Sequence, residues 1–189
     1  MELWSSSKRI KVAVIGDILL DEYLEGQVLR ISPEAPVPVH LLSHKRYVAG
    51  GAANTAINIS ELSADVSLFG FCGKDEYSTR LHEILESHGV NTSGVMSLSN
   101  RSTITKTRVV SGSQQILRLD REKLEPLTTK EQNTLLALLN SSPFDLLVIS
   151  DYGKGICSDL LLKKVISTSN ESNIPIFVDP KGSDWEKYQ

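Results

Sequence analysis

The stretch "YVAGGAANTAINISEL" (residues 47–62) passes from a strand-like pattern to a helical one through two adjacent glycines. After residue 52, alanine, isoleucine and leucine recur at helical spacing, which predicts an amphipathic helix. Ser, Thr, Asp or Asn would cap such a helix better than glycine does. Because glycine has no Cβ, Gly50 and Gly51 allow another group to approach the backbone where the first helical N–H groups point outward. The stretch therefore predicts either a ligand cradle or close helix–strand packing.

Apolar runs and helical patterns alternate along the rest of the chain. This alternation predicts an α/β fold in which helices cover a mostly parallel sheet. Shorter alternating strands near 19–46, and a hairpin pattern over 103–121, predict a small exposed β-sheet attached to it. The predicted buried strands are 11–17, 65–73, 144–150 and 174–179. The predicted helices are 52–62, 75–89, a segment that begins at Thr128-x-x-Glu131, and the segment between the last two strands. The spacing of Thr128 and Glu131 is that of a capping box.

Composition and charge exclude several classes of protein. A net charge of −3 disfavours a nucleic-acid binder, which needs a basic face. No run approaches the roughly 18 apolar residues of a membrane span, and the first residues do not form a signal peptide, so we expect a cytoplasmic protein without a membrane partner. Cys72 and Cys157 lie far apart without metal-ligand spacing, which indicates reduced thiols more than a redox pair.

Three predicted strands end in carboxylates, at Asp17, Asp151 and Asp179. Ligands of open α/β sheets bind outside the carboxyl ends of the strands, so these residues predict a site for a polar ligand. Asn54, one turn into the helix, offers both a donor and an acceptor, which suits vicinal hydroxyls. With the glycine pair, Asp17 and Asn54 predict a sugar or polyol cradle, while the packing interpretation of the glycines remains open. The chain has neither a triple-glycine dinucleotide turn nor a Walker-type phosphate loop.

Seven stretches of the chain together resemble one family. They are "VAVIGDILLDEYLEG", "RISPEAPVPV", "AGGAANTAINI", "TKTRVV", "QQILRLDRE", "SDYGKG" and "VDPKG". From about residue 10 to the end, the chain resembles the ribokinase-like (PfkB-type) sugar kinases. Within them, "RISPEAPVPV" and "VDPKG" are similar to the D-glycero-β-D-manno-heptose-7-phosphate kinase domain of the bifunctional heptose kinase/adenylyltransferases of lipopolysaccharide core synthesis.

The resemblance implies a three-layer kinase domain with a small β-sheet lid, which also makes a homodimer contact. Residues 1–189 would be the amino-terminal portion of one such domain, with its core at about 10–18, 48–100 and 122–189 and its lid strands at about 19–47 and 101–121. The implied reaction transfers the γ-phosphoryl group of ATP, with Mg²⁺, to the C1 hydroxyl of the heptose 7-phosphate, a step in ADP-heptose synthesis.

The resemblance also implies roles for particular residues. The sugar would be held by Asp17, Gly50, Gly51 and Asn54, with Asp151 and Lys154 beside it; Asp179 and Lys181 would face the phosphate side of the cofactor; and the lid would offer Lys106, Arg108, Gln114, Gln115 and Arg118. Arg108 is our hypothesis for a clamp on the 7-phosphate of the substrate. The alternative is that the lid arginines form structural pairs, such as Arg118 or Arg121 with Asp120, on a solvated face.

The family's catalytic Gly-x-Gly-Asp turn, which supplies the base and an anion hole, does not occur in this sequence. The resemblance therefore implies that the family's catalytic base lies beyond Gln189. We expect no catalytic residue within residues 1–189 and no kinase activity from them alone, unless another chain supplies a missing carboxyl-terminal half. We also expect uncovered apolar faces on the last strands. The alternatives are a non-catalytic sugar-binding or dimerising remnant, or a kinase lobe for another sugar.

Overall fold

A computed structural model describes residues 9–189. Its strands are β1 (Lys11–Gly16), β2 (Ile18–Ile31), β3 (Pro38–Gly51), β4 (Asp65–Gly73), β5 (Asn91–Leu98), β6 (Ile104–Ser111), β7 (Gln114–Arg121), β8 (Leu146–Ser150) and β9 (Ile176–Asp179). Its α-helices are α1 (Ala52–Glu61), α2 (Glu76–Ser87), α3 (Thr129–Asn140) and α4 (Asp159–Glu171), and a short 3₁₀ helix spans Glu186–Tyr188. Within this part of the chain, no helix is long and apolar enough to cross a membrane.

The central sheet has five strands in the order β5-β4-β1-β8-β9, and every pair is parallel. Side chains alternate between its two faces, so β1 contributes Val14 to one core cluster and Ile15 to the other. The first cluster contains residues of α1 and α2, and the second contains residues of α3 and α4. Helices therefore lie on both faces of a parallel sheet, and the predicted α/β fold is confirmed.

The second sheet has the order β3-β2-β6-β7 and confirms the predicted β appendage, which we call the lid. β2 pairs antiparallel with β3 and parallel with β6, and β6 and β7 form the predicted antiparallel hairpin. β2 begins only one residue after β1 ends, and that residue is Asp17. At Asp17 the chain thus passes directly from the carboxyl end of β1 into the lid.

The helix ends follow local chemistry. The Asp75 side chain accepts a hydrogen bond from the Ser78 amide and caps α2, and Gly89 follows the helix with a φ of +70°. At α3, Thr128 and Glu131 form the predicted reciprocal capping box. These ends could be predicted because each depends on residues only three positions apart.

Candidate functional site

The lid joins the core where the carboxyl ends of the central strands meet the start of α1. The Asp17 amide donates to the Ser150 carbonyl (3.1 Å), and the Asp17 carbonyl accepts from the Ala52 amide (2.9 Å). The turn from β1 into β2 is therefore bonded to the turn from β3 into α1. The sequence-predicted residues Asp17, Gly50, Gly51 and Asp151 all lie around this junction.

The Asp17 side chain is buried and engaged by the protein itself. Its Oδ2 accepts hydrogen bonds from the amides of Tyr152 and Lys154, both at 2.9 Å, and its Oδ1 accepts one from Ile156 at 3.1 Å. Burial raises the pKa of this carboxyl group, although the three amide hydrogen bonds oppose the shift. Asp17 thus holds the loop at 151–156 against the end of β1, and its contact with a sugar stays a prediction.

Asp151 is equally buried, and its carboxylate binds residues from the end of the chain. Oδ1 accepts from the Gly153 amide (2.7 Å), while Oδ2 accepts from Lys187 Nζ (2.5 Å) and from the Tyr188 hydroxyl (2.7 Å). Burial alone would lower the pKa of Lys187, but the hydrogen bonds and charges of Asp151 and Tyr188 together outweigh it and raise that pKa. Sequence reasoning missed Lys187 and Tyr188, because no local pattern links them to a residue 36 positions away.

Gln189 directly follows the pair of residues that bind Asp151. Its amide donates to the Glu186 carbonyl at 3.2 Å, which closes the short 3₁₀ helix. No Gly-x-Gly-Asp turn occurs in the sequence up to Gln189. The position of the catalytic base beyond Gln189 stays a prediction.

The two glycines serve different purposes. Gly51 has a φ of +56°, and a Cβ there would lie 2.3 Å from the Asp17 carbonyl oxygen, so this position needs glycine for the backbone itself. A Cβ on Gly50 would lie 3.0 Å from Oδ2 of Asp21, so the absence of this Cβ leaves room for the Asp21 carboxylate. Close packing therefore explains Gly51, whereas Gly50 leaves space that the Asp21 carboxylate occupies. Asn54 is exposed at the start of α1.

Asp21 is the residue that sequence reasoning overlooked at this position. It lies on β2 two residues beyond Leu19, which pairs with Gly50 in the register of the lid. Its Oδ1 accepts a hydrogen bond from Arg108 Nη1 at 2.5 Å, and this bond to Asp21 is the main reason why the pKa of Arg108 is raised. The carboxylate is about one-fifth exposed and so remains accessible. The signal was a charged residue within the apolar run "ILLDEY", but its partners on β3 and β6 are set by long-range pairing.

The same face of the lid carries the predicted basic side chains. In the register of the lid, Lys106 of β6 lies opposite Asp21 of β2 on one side and opposite Asp120 of β7 on the other. Two residues further along β6, Arg108 lies opposite Arg118 of β7. Arg118 forms two hydrogen bonds to Asp120, at 2.8 and 3.1 Å, which is the structural pair expected as the alternative. The structure thus brings Lys106, Arg108 and Arg118 together. Gln114 and Gln115 lie exposed at the turn of the hairpin, away from this cluster.

Tyr23 lies between two arginines on this face. Its ring centroid is 4.1 Å from the guanidinium of Arg46 and 5.3 Å from that of Arg108. Stacking against an aromatic ring holds a planar guanidinium in one orientation while its N–H groups remain available. Arg46 also forms an ion pair with Glu25 at 3.1 Å, so Arg46 has an acidic partner as Arg108 and Arg118 do.

The remaining predicted residues lie along the carboxyl edge. Lys154 pairs with Glu122 at 2.7 Å and so connects the loop at 151–156 to the segment that follows β7. Asp179 ends β9, and its carbonyl accepts from the Asp151 amide at 3.0 Å. Lys181 is exposed, and its side-chain stem runs close to Gly153. In residues 9–189 no group of three or more His, Cys, Asp or Glu side chains is arranged to hold a metal ion, so we assign no residues to Mg²⁺.

Comparison with known proteins places these features in a family. Residues 9–189 match the model of the pfkB family carbohydrate kinases. The chain is 48% identical over 181 residues to the bifunctional protein HldE of Gluconobacter oxydans, covering 94% of this chain and 38% of that protein. It is 42% identical over 189 residues to the HldE of Geobacter metallireducens, covering 99% and 39%. The chain therefore spans less than two-fifths of the length of these relatives.

Solved structures show the same fold at low sequence identity. Ribokinase of Arabidopsis thaliana, in complex with ribose and ATP, matches with a TM-score of 0.64 and 16% identity, over 94% of this chain and 55% of that one. The 2-dehydro-3-deoxygluconokinase of Thermotoga maritima matches with a TM-score of 0.67 and 15% identity, over 93% and 52%. In each case the chain corresponds to about half of the solved protein.

Proposed function

The chain belongs to the pfkB family of carbohydrate kinases, and on this premise we propose that it forms the sugar-binding part of a heptose kinase. The substrate we propose is D-glycero-D-manno-heptose 7-phosphate, phosphorylated at its C1 hydroxyl by ATP in ADP-heptose and lipopolysaccharide core synthesis in the cytoplasm. Identity of 40% or more to several HldE proteins along nearly the whole chain supports this proposal over a kinase for a simpler sugar.

The observation that carries the proposal is the pairing of Asp21 with Arg108 above Gly50. A carboxylate over a backbone without a Cβ is suited to accept hydrogen bonds from sugar hydroxyls, and Asn54 would donate and accept from the side of α1. The guanidinium of Arg108, ordered by Asp21 and Tyr23, has further N–H groups for the oxygens of a phosphate. Arg108 and Arg118 are already paired with Asp21 and Asp120, so a phosphate would bind through their remaining N–H groups and through Lys106.

These residues would bind and orient the substrate. Asp17 would contribute indirectly, because its hydrogen bonds hold the loop at 151–156 in place beside the carboxyl edge of the sheet. Asp179 and Lys181 would approach the phosphate groups of ATP, whose terminal phosphoryl group is the one transferred. The described residues provide no ligand set for Mg²⁺.

Phosphoryl transfer also needs a base near the attacking hydroxyl and donors for the developing charge. The sequence up to Gln189 contains no Gly-x-Gly-Asp turn to supply them. We therefore propose that residues 1–189 bind the sugar phosphate without phosphorylating it. They would do so either as one part of a kinase or as a non-catalytic binding protein. Detection of ATP-dependent heptose 1-phosphorylation by this purified chain would overturn that part of the proposal.

The proposal also includes a homodimer formed through the lid. Large apolar side chains are at least half exposed on its strands, which is unusual for a surface that has no partner. They include Leu29, Ile31, Leu117 and Leu119. Light scattering would test this part, and a monomer at micromolar concentration would contradict it.

Calorimetric titration with heptose 7-phosphate, unphosphorylated heptose and ribose tests the substrate. Loss of a charge-assisted hydrogen bond corresponds to about a tenfold weakening or more. We expect Arg108→Ala to weaken the 7-phosphate that much while leaving unphosphorylated heptose unchanged, and Asp21→Asn to weaken both. Lys123→Ala, which removes an exposed lysine paired with Glu125, is the control. An unchanged ratio of the two heptose affinities in Arg108→Ala would refute the phosphate clamp.

A further inference from the structure

A buried carboxylate lies behind the face of the lid that carries the basic side chains. Glu22 of β2 is 4% exposed, and its neighbour Asp21 points to the opposite face because side chains alternate along a strand. Glu22 Oε1 accepts a hydrogen bond from the Tyr47 hydroxyl at 3.2 Å, and Oε2 accepts one from the Thr107 hydroxyl at 2.7 Å. The two oxygens are therefore bonded to two different strands, β3 and β6.

The register of the lid places these three residues in one row across its strands. Tyr47 and Thr107 are the direct partners of Glu22 on either side, and we call the three residues the back row. Burial and the charge of Glu22 raise the pKa of Tyr47, so its hydroxyl keeps its proton and donates at neutral pH. The back row thus joins β3, β2 and β6 through side chains in addition to their backbone pairing.

Packing alone does not account for a carboxylate in the back row. Leu20, two residues earlier on the same face of β2, is fully buried in the core cluster that contains residues of α1 and α2. Burial of a carboxylate costs free energy, which two neutral hydroxyl partners offset only in part. An apolar residue would therefore suit packing better. This comparison indicates that the hydrogen bonds of Glu22 serve to position the neighbouring strands.

The position of β6 relative to β2 matters because of the way Arg108 reaches Asp21. In the register of the lid, Arg108 lies two residues beyond the direct partner of Asp21 on β6. The hydrogen bond between them is therefore a diagonal, and its length changes if β6 slides along β2. The bond from Thr107 to Glu22 joins directly opposite residues and resists this sliding from the other face of the lid.

We propose that Glu22 is a positioning residue that gives the site its preference for a phosphorylated sugar. This inference rests on the proposed function, in which Arg108 binds the phosphate group. Through Thr107, Glu22 holds Arg108 at a fixed place relative to Asp21. Through Tyr47, it holds β3 against β2 beside the sugar.

Calorimetric titration of the 189-residue chain with heptose 7-phosphate and unphosphorylated heptose tests the proposal. Removal of Glu22 disturbs two strands at once, so its partners are changed instead. We expect Thr107→Val to lower the affinity for the 7-phosphate about fivefold relative to that for heptose, and Thr107→Ser, which keeps the hydroxyl, to retain the wild-type ratio. Tyr47→Phe should weaken both ligands alike. The matched control is Thr105→Val, at a buried threonine on the same strand that lies opposite Leu20.

Two further measurements separate positioning from a general loss of stability. If Thr107 acts through Arg108, adding Thr107→Val to Arg108→Ala should leave the affinity ratio of the single Arg108→Ala variant unchanged. Hydrogen exchange in the ligand-free chain needs no substrate. The amides that pair β6 with β2 should exchange at least about fivefold faster in Thr107→Val than in Thr105→Val.

Each outcome decides the proposal. An unchanged affinity ratio in Thr107→Val overturns it, as does an equal shift of the ratio in Thr105→Val, Thr107→Ser or Tyr47→Phe. A further change of the ratio in the double variant overturns it, because the effect would not pass through Arg108. Equal exchange rates in Thr107→Val and Thr105→Val overturn it as well. If the wild-type chain binds neither heptose, the proposed function fails, and the exchange rates decide the positioning role of Glu22 independently.

Discussion

Substitution of Asp75 by alanine should destabilise the protein more than loss of an ordinary helix cap. Besides capping α2 through the Ser78 amide (3.1 Å), the Asp75 carboxylate accepts from the hydroxyl and the amide of Thr103, at 2.7 and 2.9 Å. Thr103 lies just before β6, so this single side chain connects the start of α2 to the entrance of the lid. Its hydroxyl accepts in turn from the Gly73 amide.

The magnitude follows from these bonds. An N-cap contributes about 1 kcal/mol. Each hydrogen bond to a charged acceptor contributes about 1.5–3 kcal/mol when buried, and less here because Asp75 is partly exposed. We therefore expect Asp75→Ala to lower the free energy of unfolding by about 2–4 kcal/mol. Ser158→Ala removes the N-cap of α4, whose hydroxyl accepts a single hydrogen bond, from the Leu161 amide. It should lower the free energy of unfolding by about 1 kcal/mol.

The pH dependence gives a second reading of the same residue. Burial alone would raise the pKa of Asp75, but the hydrogen bonds from Thr103 and Ser78 outweigh it and lower the pKa below 3.8. A lowered folded-state pKa means that the stabilisation is present above the unfolded value and is lost as pH falls through the folded value. The difference between wild type and Asp75→Ala should therefore shrink as the pH falls below about 4.

Urea unfolding followed by circular dichroism measures both effects. Thr103→Val removes the hydroxyl from the other side, and the double variant should cost clearly less than the sum of the two single variants. If Asp75→Ala cost no more than Ser158→Ala, or if its deficit did not change with pH, the reasoning would be wrong.

Three further changes test other parts of the structure. Gly51→Ala should destabilise the chain by more than about 2 kcal/mol in urea unfolding, because its φ is positive and its Cβ would meet the Asp17 carbonyl, whereas Gly112→Ala, also at positive φ but with open space, should cost less. Lys187→Met should lower the free energy of unfolding by about 2–4 kcal/mol in thermal or urea unfolding, because it leaves the buried Asp151 carboxylate without its cation. Lys123→Met, at an exposed ion pair, should have little effect. Equal losses of unfolding free energy in the two variants would contradict the role of Lys187. Asn54→Ala should weaken heptose 7-phosphate binding at least about fivefold in calorimetry without changing the unfolding midpoint, since Asn54 is exposed; unchanged affinity would remove it from the site.

The sequence predicted the elements whose signals are local. The capping box at Thr128 and Glu131, the end of α2 and the lid hairpin depend on neighbouring residues, and all three are confirmed. β5 was missed because "NTSGVMSL" has no apolar alternation. Its Gly94 is buried because Phe69 of the neighbouring strand lies directly against it, and this contact exists only after the sheet forms.

The site was predicted less completely, for the same reason. Asp17 was recognised as a carboxylate at a strand end, but its three amide partners lie 135–139 residues further along the chain. Asp21 acquires its place above Gly50 only through the pairing of β2 with β3 and β6. A strand-end rule indicates which edge of a sheet binds ligands, but it does not distinguish a carboxylate that faces the solvent from one that is enclosed by a loop.

The hydrogen bond from the Ala52 amide to the Asp17 carbonyl has a mechanical consequence. Both long lid strands are anchored at that one crossing, so the base of the ribbon cannot rotate away from α1 without breaking the pairing between the two turns. We expect the lid to bend more easily further out, where the register of β2 with β3 shifts at Glu25/Gly26 and again at Val28/Arg30. Asp21 lies on the anchored side of both irregularities. Bending at these positions would move the tip of the lid and leave the distance between Asp21 and Gly50 unchanged.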